Sequence, residues 1–316
     1  MSRYLFDSNL FRGLPYPRPG ESESSVTLGE QVKRAVIAGG DRIVACVETI
    51  YEFVSHINEE EKADYYVFHK AISALLHYTD ETVIEHADYG MQKRLLGEPR
   101  HKSVAGDAIQ LARVLRDITQ FDGYYSSPVV YETPGGIAVP LLAHLRLLKE
   151  QELDAWEREW ASDMTTSAEL ILGCDYREAA ASGIVPQMTD KAKRDKALKD
   201  LGSENIATAL MVGIALRTGL TDPVSEGALR TLSDGLCAFY CGYKGIWRKA
   251  LESGYDFFSR RNLGDFIDMQ LLMHLIEDDV VLVTNDGRLK RLVPDTCKQA
   301  DRIMRFDQLA EQLGVA

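Results

Sequence analysis

The sequence predicts an α/β fold: a parallel-sheet core interrupted by a large all-helical insertion. Three observations predict it. Short apolar strands alternate with amphipathic helices over residues 1–58 and again over 263–316. The run "VVLVT" at 280–284 is continuously apolar, as a strand covered on both faces must be. From 59 to 262 apolar residues recur almost throughout at helical spacing. The chain therefore divides into one half of the core (1–58), the insertion (59–262) and the other half of the core (263–316).

Each element has its own warrant. "RYLFD" is a strand candidate. "GLPYPRPGESESS" is proline-rich and then polar, and reads as a loop. "VTLGEQVKRAVIAGG" is a helix closed by glycines, "RIVAC" a second strand and "VETIYEFVSHI" a helix. In the insertion, "ADYYVFHKAISALLHY", "DAIQLARVLRDI", "LLAHLRLLKEQELDAWEREW" and "ENIATALMVGIALRTGL" carry helical periodicity, and "SSPVVYETPGGIAVP" is a hairpin or a loop. The core resumes with the helix "GDFIDMQLLMHLI", the strand "VVLVT", a helical turn "GRLKRLV", the strand "RIMRF" and a helix "DQLAEQLGVA".

Composition narrows the function classes. The 316 residues carry a net charge of -12, which argues against a non-specific nucleic-acid coat, because phosphate binding is driven by cations. It does not exclude an enzyme acting on nucleic acid through a carboxylate-bound metal. No apolar run is long enough to span a bilayer, and Arg3 and Asp7 come too early for a signal-peptide core. The five cysteines form no CxxC pair, so a reducing cytoplasm is expected; Cys237 and Cys241, four apart on a helix, read as packing.

The acids carry the chemistry. Asp7 and Asp286 each follow a strand, and in a parallel sheet the strand C-termini share one edge, where ligands bind. On the helix after "RIVAC", Glu48 and Glu52 share one flank beside the apolar stripe Val47, Ile50, Tyr51 and Val54. Asp268 projects among Leu271, Leu272 and Leu275, where an ionised carboxylate must be paired, protonated or metal-bound. Asp265 is expected at the start of that helix, as an N-cap. Taken singly, "DSN" and "NDG" are turn formers and the paired glutamates a solvated flank. Together the carboxylates suit Mg²⁺ or Mn²⁺.

In order and spacing these residues resemble the PIN domain, a metal-dependent nuclease fold found in toxin nucleases and RNA-processing enzymes. "LFDSN" matches its opening Asp motif at Asp7. "VETIYEF" matches its helix pattern and favours Glu52 over Glu48. "DMQLLMHLIEDDVVLVTND" sets Asp268 eighteen residues before Asp286, favours Asp268 over Asp265, and places Thr284 and Asn285 at the polar pair before the last acid. The resemblance covers about a third of the chain, and the insertion of about two hundred residues departs from the family. It implies a ribonuclease in which Asp7, Glu52, Asp268 and Asp286 hold Mg²⁺ or Mn²⁺ and Thr284 or Asn285 positions water or phosphate. Asn9, Glu48, Asp265 and Asn285 would support these ligands. It implies RNA as substrate, with DNA or a non-catalytic binding role as alternatives. It allows an inhibitory, antitoxin-like protein partner and an oligomer.

Other candidates are weaker. Arg260 and Arg261 precede the third acid and are placed to touch phosphate. "TDKAKRDKALKD" alternates its lysines with aspartates and reads as a solvated face or linker. "CAFYCGYKGIWRKAL" mixes aromatics with cations, but at helical spacing such a stripe is core more often than a base platform. The histidines show no paired metal spacing, and His274 is expected on the far side of its helix from Asp268, exposed or packed.

Overall fold

A computed structural model describes residues 1–14, 27–56, 62–100, 102–119, 130–132, 138–140, 158, 167–168, 171, 184–221, 223–257 and 259–315. The proline-rich loop expected over 13–25 and the helix expected over 141–160 fall almost wholly outside these residues, Gly13 being the last residue of a short helix.

Strand β1 (Arg3–Phe6) leads into a short helix, α1 (Ser8–Gly13). Helix α2 (Leu28–Ala38) starts at Thr27, whose hydroxyl accepts the Glu30 N–H, and stops at Gly39; Gly40 then takes φ 77°, which a side chain would oppose. Strand β2 (Arg42–Cys46) passes without a break into α3 (Val47–His56). Helix α4 (Lys62–Tyr78), strand β3 (Val83–Ile84), α5 (Ala87–Leu96) and α6 (Ala105–Thr119) follow. Strands β4 (Val130–Glu132) and β5 (Ala138–Pro140) pair antiparallel, so the hairpin alternative holds there. Next come β6 (Ile184–Val185), α7 (Lys191–Leu201), α8 (Glu204–Arg217), α9 (Glu226–Gly235) and α10 (Cys237–Ser253). Strand β7 (Tyr255–Asp256) pairs with β6, and α11 (Arg260–Met273) precedes β8 (Val280–Val283), α12 (Gly287–Leu292), β9 (Ile303–Met304) and α13 (Phe306–Gln312).

The main sheet has the order β3-β2-β1-β8-β9, and every pairing in it is parallel. The chain winds outward from β1 to one side and then, after the long excursion, from β8 to the other. The order reverses between β1 and β8, and the crevice beyond the strand ends at such a reversal is where open α/β sheets bind ligands.

Side-chain alternation gives the sheet two buried faces. Leu5, Val44, Cys46, Leu282 and Ile303 face a core built with α5 and the helices from α7 to α12. Tyr4, Phe6, Ile43, Ala45 and Val283 face a second core with α1–α4, α6 and α13. Helices from the stretch read as an insertion thus cover both faces, and β3 within it extends the sheet itself. Polar clamps fix the seam between α10 and β8. The Gln299 side chain accepts from the Ala238 N–H (2.8 Å) and donates to the carbonyls of Gly235 and Leu275, and Arg302 donates to the carbonyls of Leu275 and Glu277. Lysine-rich α7 is a helix that buries Ala197 and Leu201, so it is anchored rather than a free linker. Among the described residues no helix is long and apolar enough to cross a membrane.

Candidate active site

Asp7 lies where β1 becomes α1. Its Oδ1 accepts the Leu10 N–H at 2.8 Å, capping α1, and its Oδ2 accepts the Thr284 hydroxyl. The residue is 2% exposed. Thr284 ends β8, the neighbour of β1, and its Oγ1 also accepts the Asp286 N–H at 2.9 Å. One hydroxyl thus ties the ends of the two strands at the order reversal. Asp286 caps α12 through the Arg288 N–H at 2.7 Å.

Glu52 on α3 bonds Arg12 of α1 at 3.4 Å and adds negative charge that acts on both Asp7 and Asp268. Asp268 on α11 pairs with Arg288 at 2.9 Å, so the pairing its apolar neighbours demanded is met. Burial nevertheless pushes the Asp268 carboxyl up to about 8, because Arg288 is outweighed by burial together with Asp286, Asp265 and Glu52. Burial likewise raises Asp7 to about 6 against the hydrogen bonds from Thr284 and Leu10, with Glu52 and Asp286 adding to the rise. Asp7, Glu52, Asp268 and Asp286 therefore share one electrostatic environment with an excess of negative charge.

Arg288 was not singled out in the sequence. Its guanidinium spans Asp265 (2.5 Å), Asp268 (2.9 Å) and Asp286 (3.7 Å). The only sequence hint is a cation two residues after the last acid. Among the described residues, the His, Cys and carboxylate trios with ligand atoms within 4.8 Å of one another are Cys46–Glu48–His274 and Cys237–Cys241–Cys297. Of the acids at the sheet edge, Asp265, Asp268 and Asp286 are gathered around Arg288, Asp7 is held by Leu10 and Thr284 and Glu52 by Arg12, and no three of Asp7, Glu52, Asp268 and Asp286 bring oxygens within that distance of one another.

Several supporting residues depart from expectation. Asp265 is not an N-cap: α11 begins five residues earlier, at Arg260, with Ser259 as its cap residue. Asp265 is 4% exposed, accepts the Tyr255 hydroxyl at 2.5 Å and pairs with Arg288 and, at 3.5 Å, Lys249. Glu48 is no solvated flank. It is 2% exposed, and its two oxygens take His86 Nδ1 (3.0 Å), His274 Nε2 (3.1 Å) and the Ala87 N–H (3.2 Å). Burial raises the Glu48 carboxyl, but His274 and then His86 outweigh it and hold the group well below the usual range. His274 is packed, 1% exposed, and its role as the Glu48 partner was not foreseen. Asn9 is exposed on α1. Asn285 is exposed and its Oδ1 accepts the Phe306 N–H at 3.3 Å, so it caps the approach to α13. Arg260 and Arg261 open α11, and their side chains lie outside what is described.

Comparison of the chain with protein-family models, with curated proteins and with solved structures gave no match.

Proposed function

We propose that this chain is a divalent-metal-dependent nuclease of PIN-like architecture, acting on RNA. One observation carries the reading. Carboxylates from four separate elements, Asp7, Glu52, Asp268 and Asp286, lie at the C-terminal edge of a parallel sheet, at its order reversal, near enough for Glu52 and Asp286 to act on the charge of both Asp7 and Asp268. The strand order, with two strands on one side of β1 and two on the other, agrees with this architecture.

The donor set fits a hard cation. It consists of carboxylate oxygens, and its buried members Asp7 and Asp268 are pushed upward first by burial and then by neighbouring acids, both of which a bound cation would offset. Asp7, Glu52, Asp268 and Asp286 would hold Mg²⁺ or Mn²⁺, which supplies Lewis acidity and a water that ionises near neutral pH. The protein's own groups prepare the site. Thr284 fixes the rotamer of Asp7 and favours its ionised form. Arg288, with a half-exposed guanidinium, holds Asp268 and Asp286 in place and is positioned to meet a phosphate. Arg260 and Arg261, opening α11, would add to phosphate attraction.

The test is cleavage of a 5′-labelled RNA oligonucleotide with Mn²⁺, with Mg²⁺ and with EDTA, beside a DNA oligonucleotide of the same sequence. Metal-dependent cleavage of RNA that Asp7→Asn abolishes is expected. Equal cleavage of DNA would reassign the substrate. A second reading has one observation in its favour: Arg288 already supplies a cation to three of the acids. On that reading the fold is a non-catalytic binding module, neither metal supports cleavage, and calorimetry detects no Mn²⁺ uptake. The presence of all four acids, Asp7, Glu52, Asp268 and Asp286, favours the catalytic reading, because a binding module need not retain the full set.

A further inference from the structure

Two trios of ligand-type side chains stand outside the proposed ligand set, and they differ in one respect. In the Cys46–Glu48–His274 trio the carboxylate lone pairs are already occupied by two imidazoles and a backbone N–H, and the Cys46 thiol meets the Thr49 hydroxyl at 3.2 Å. That trio is a completed buried ion network. In the Cys237–Cys241–Cys297 trio the sulfurs face one another. Cys237 and Cys241 lie one turn apart in the first turns of α10, and Cys297 arrives from the segment between α12 and β9. Cys297 Sγ is 2.9 Å from Cys237 Sγ, and sulfurs of all three residues lie within 4.8 Å of one another. Cys297 is buried, and Cys237 and Cys241 are partly buried.

We propose that Cys237, Cys241 and Cys297 form a three-thiolate binding site for a soft or borderline transition-metal ion of the Zn²⁺ class. Sulfur-only donors select such ions over Mg²⁺ or Mn²⁺, and a tetrahedral ion held by three of them would take a fourth ligand from solvent or a neighbouring group. Metal uptake displaces the three thiol protons to solvent, and the resulting complex carries one net negative charge. Lys244 acts on Cys241 and Lys298 on Cys237, and both cysteines sit at the positive end of the 17-residue α10. Those charges offset the complex. They do not by themselves make reactive thiolates. Burial keeps the Cys241 thiol above its usual range and pushes Cys297 up to about 12, the reverse of what a nucleophilic or redox-sensing cysteine needs. The occupied site would staple α10 to the segment that follows α12, the helix bearing Arg288. The inference is independent of the nuclease reading, since thiolate and carboxylate sites prefer different metals.

The experiment uses the full chain, reduced, stripped with EDTA and titrated with Co²⁺ and then Zn²⁺. One equivalent of Co²⁺ should produce a sulfur-to-cobalt charge-transfer band that Zn²⁺ bleaches and that Cys241→Ser or Cys297→Ser removes. Cys46→Ser and Asp7→Asn should retain it. In the unmodified chain Zn²⁺ should slow alkylation of Cys237 and Cys241 at least tenfold and raise Tm by about 5 °C. The alkylation readout stands even where a serine variant fails to fold. No thiolate band, a band that Cys46→Ser abolishes, or alkylation rates indifferent to Zn²⁺ would each overturn the proposal.

Discussion

Replacing Asp7 by Asn should destroy cleavage and yet strengthen the fold at neutral pH. Asp7 is 2% exposed, and its carboxyl is raised from 3.8 to about 6, first by burial. Two pKa units correspond to about 3 kcal/mol, the cost of ionising it in the folded protein rather than in the unfolded chain. The sign follows from linkage. Between the two values the folded state holds the proton that the unfolded state has released, so stability falls as pH rises from about 4 to 6 and stays low above that. Asparagine has no proton to lose and escapes this cost. Its Oδ1 can still accept the Leu10 N–H, but its amide cannot accept the Thr284 hydroxyl as the carboxylate does. That loss costs about 1 kcal/mol. The net expectation is a gain of about 2 kcal/mol at pH 8, vanishing or reversing near pH 4. Urea unfolding in EDTA at pH 4, 6 and 8 measures it. Saturating Mn²⁺ should close the gap by stabilising only the parent protein. A variant less stable than the parent at pH 8, or a difference indifferent to pH, would refute the account of a strained, undercompensated carboxylate.

Three further expectations follow from other contacts. Thr284→Val deletes the hydroxyl that favours ionised Asp7; Mn²⁺ affinity should fall at least tenfold at pH 6 and recover partly at pH 8, measured by calorimetry. Glu48→Gln removes the charge held by His274 and His86 and should destabilise the fold by about 3 kcal/mol at pH 7. Because the Glu48 carboxyl is held low, its contribution is present above about pH 4 and is lost as pH falls through its folded value, so the gap between parent and variant should shrink in acid. Gly242→Ala drives a methyl group into Met269 and Leu272, and thermal melts should show a loss of about 1–3 kcal/mol.

The sequence was most legible where the signal is local. "RIVAC" is a strand over its whole length, α3 begins at Val47 as its periodicity requires, and Asp7 and Thr284 stand at strand ends as their motifs imply. The alternation of strand and helix was enough to anticipate a parallel sheet. Strand β3 escaped because two residues are too short for a period-2 pattern. Asp265 was misplaced because the helix was read as starting at 264, whereas it begins at Arg260 and runs through Gly264 with open space at that position. The histidine partners of Glu48, the reach of Arg288 and the approach of Cys297 to Cys237 belong to tertiary packing between segments 20 to 226 residues apart, which no local pattern encodes.

The pairing of β1 with both β2 and β8 has a consequence for biosynthesis. Arg3 through Phe6 leave the ribosome early, but the strand that completes their second edge lies at Val280–Val283. At about 5–20 residues per second, some 15–60 seconds of translation separate the two. Throughout that interval Asp7 has neither Thr284 nor Asp286 beside it. On the nuclease reading proposed above, the nascent polypeptide would be inactive toward the message and ribosomal RNA around it, and a prematurely terminated product would stay so. High contact order, usually a burden on folding speed, here means that the acidic edge is assembled only after nearly all of the chain has been made.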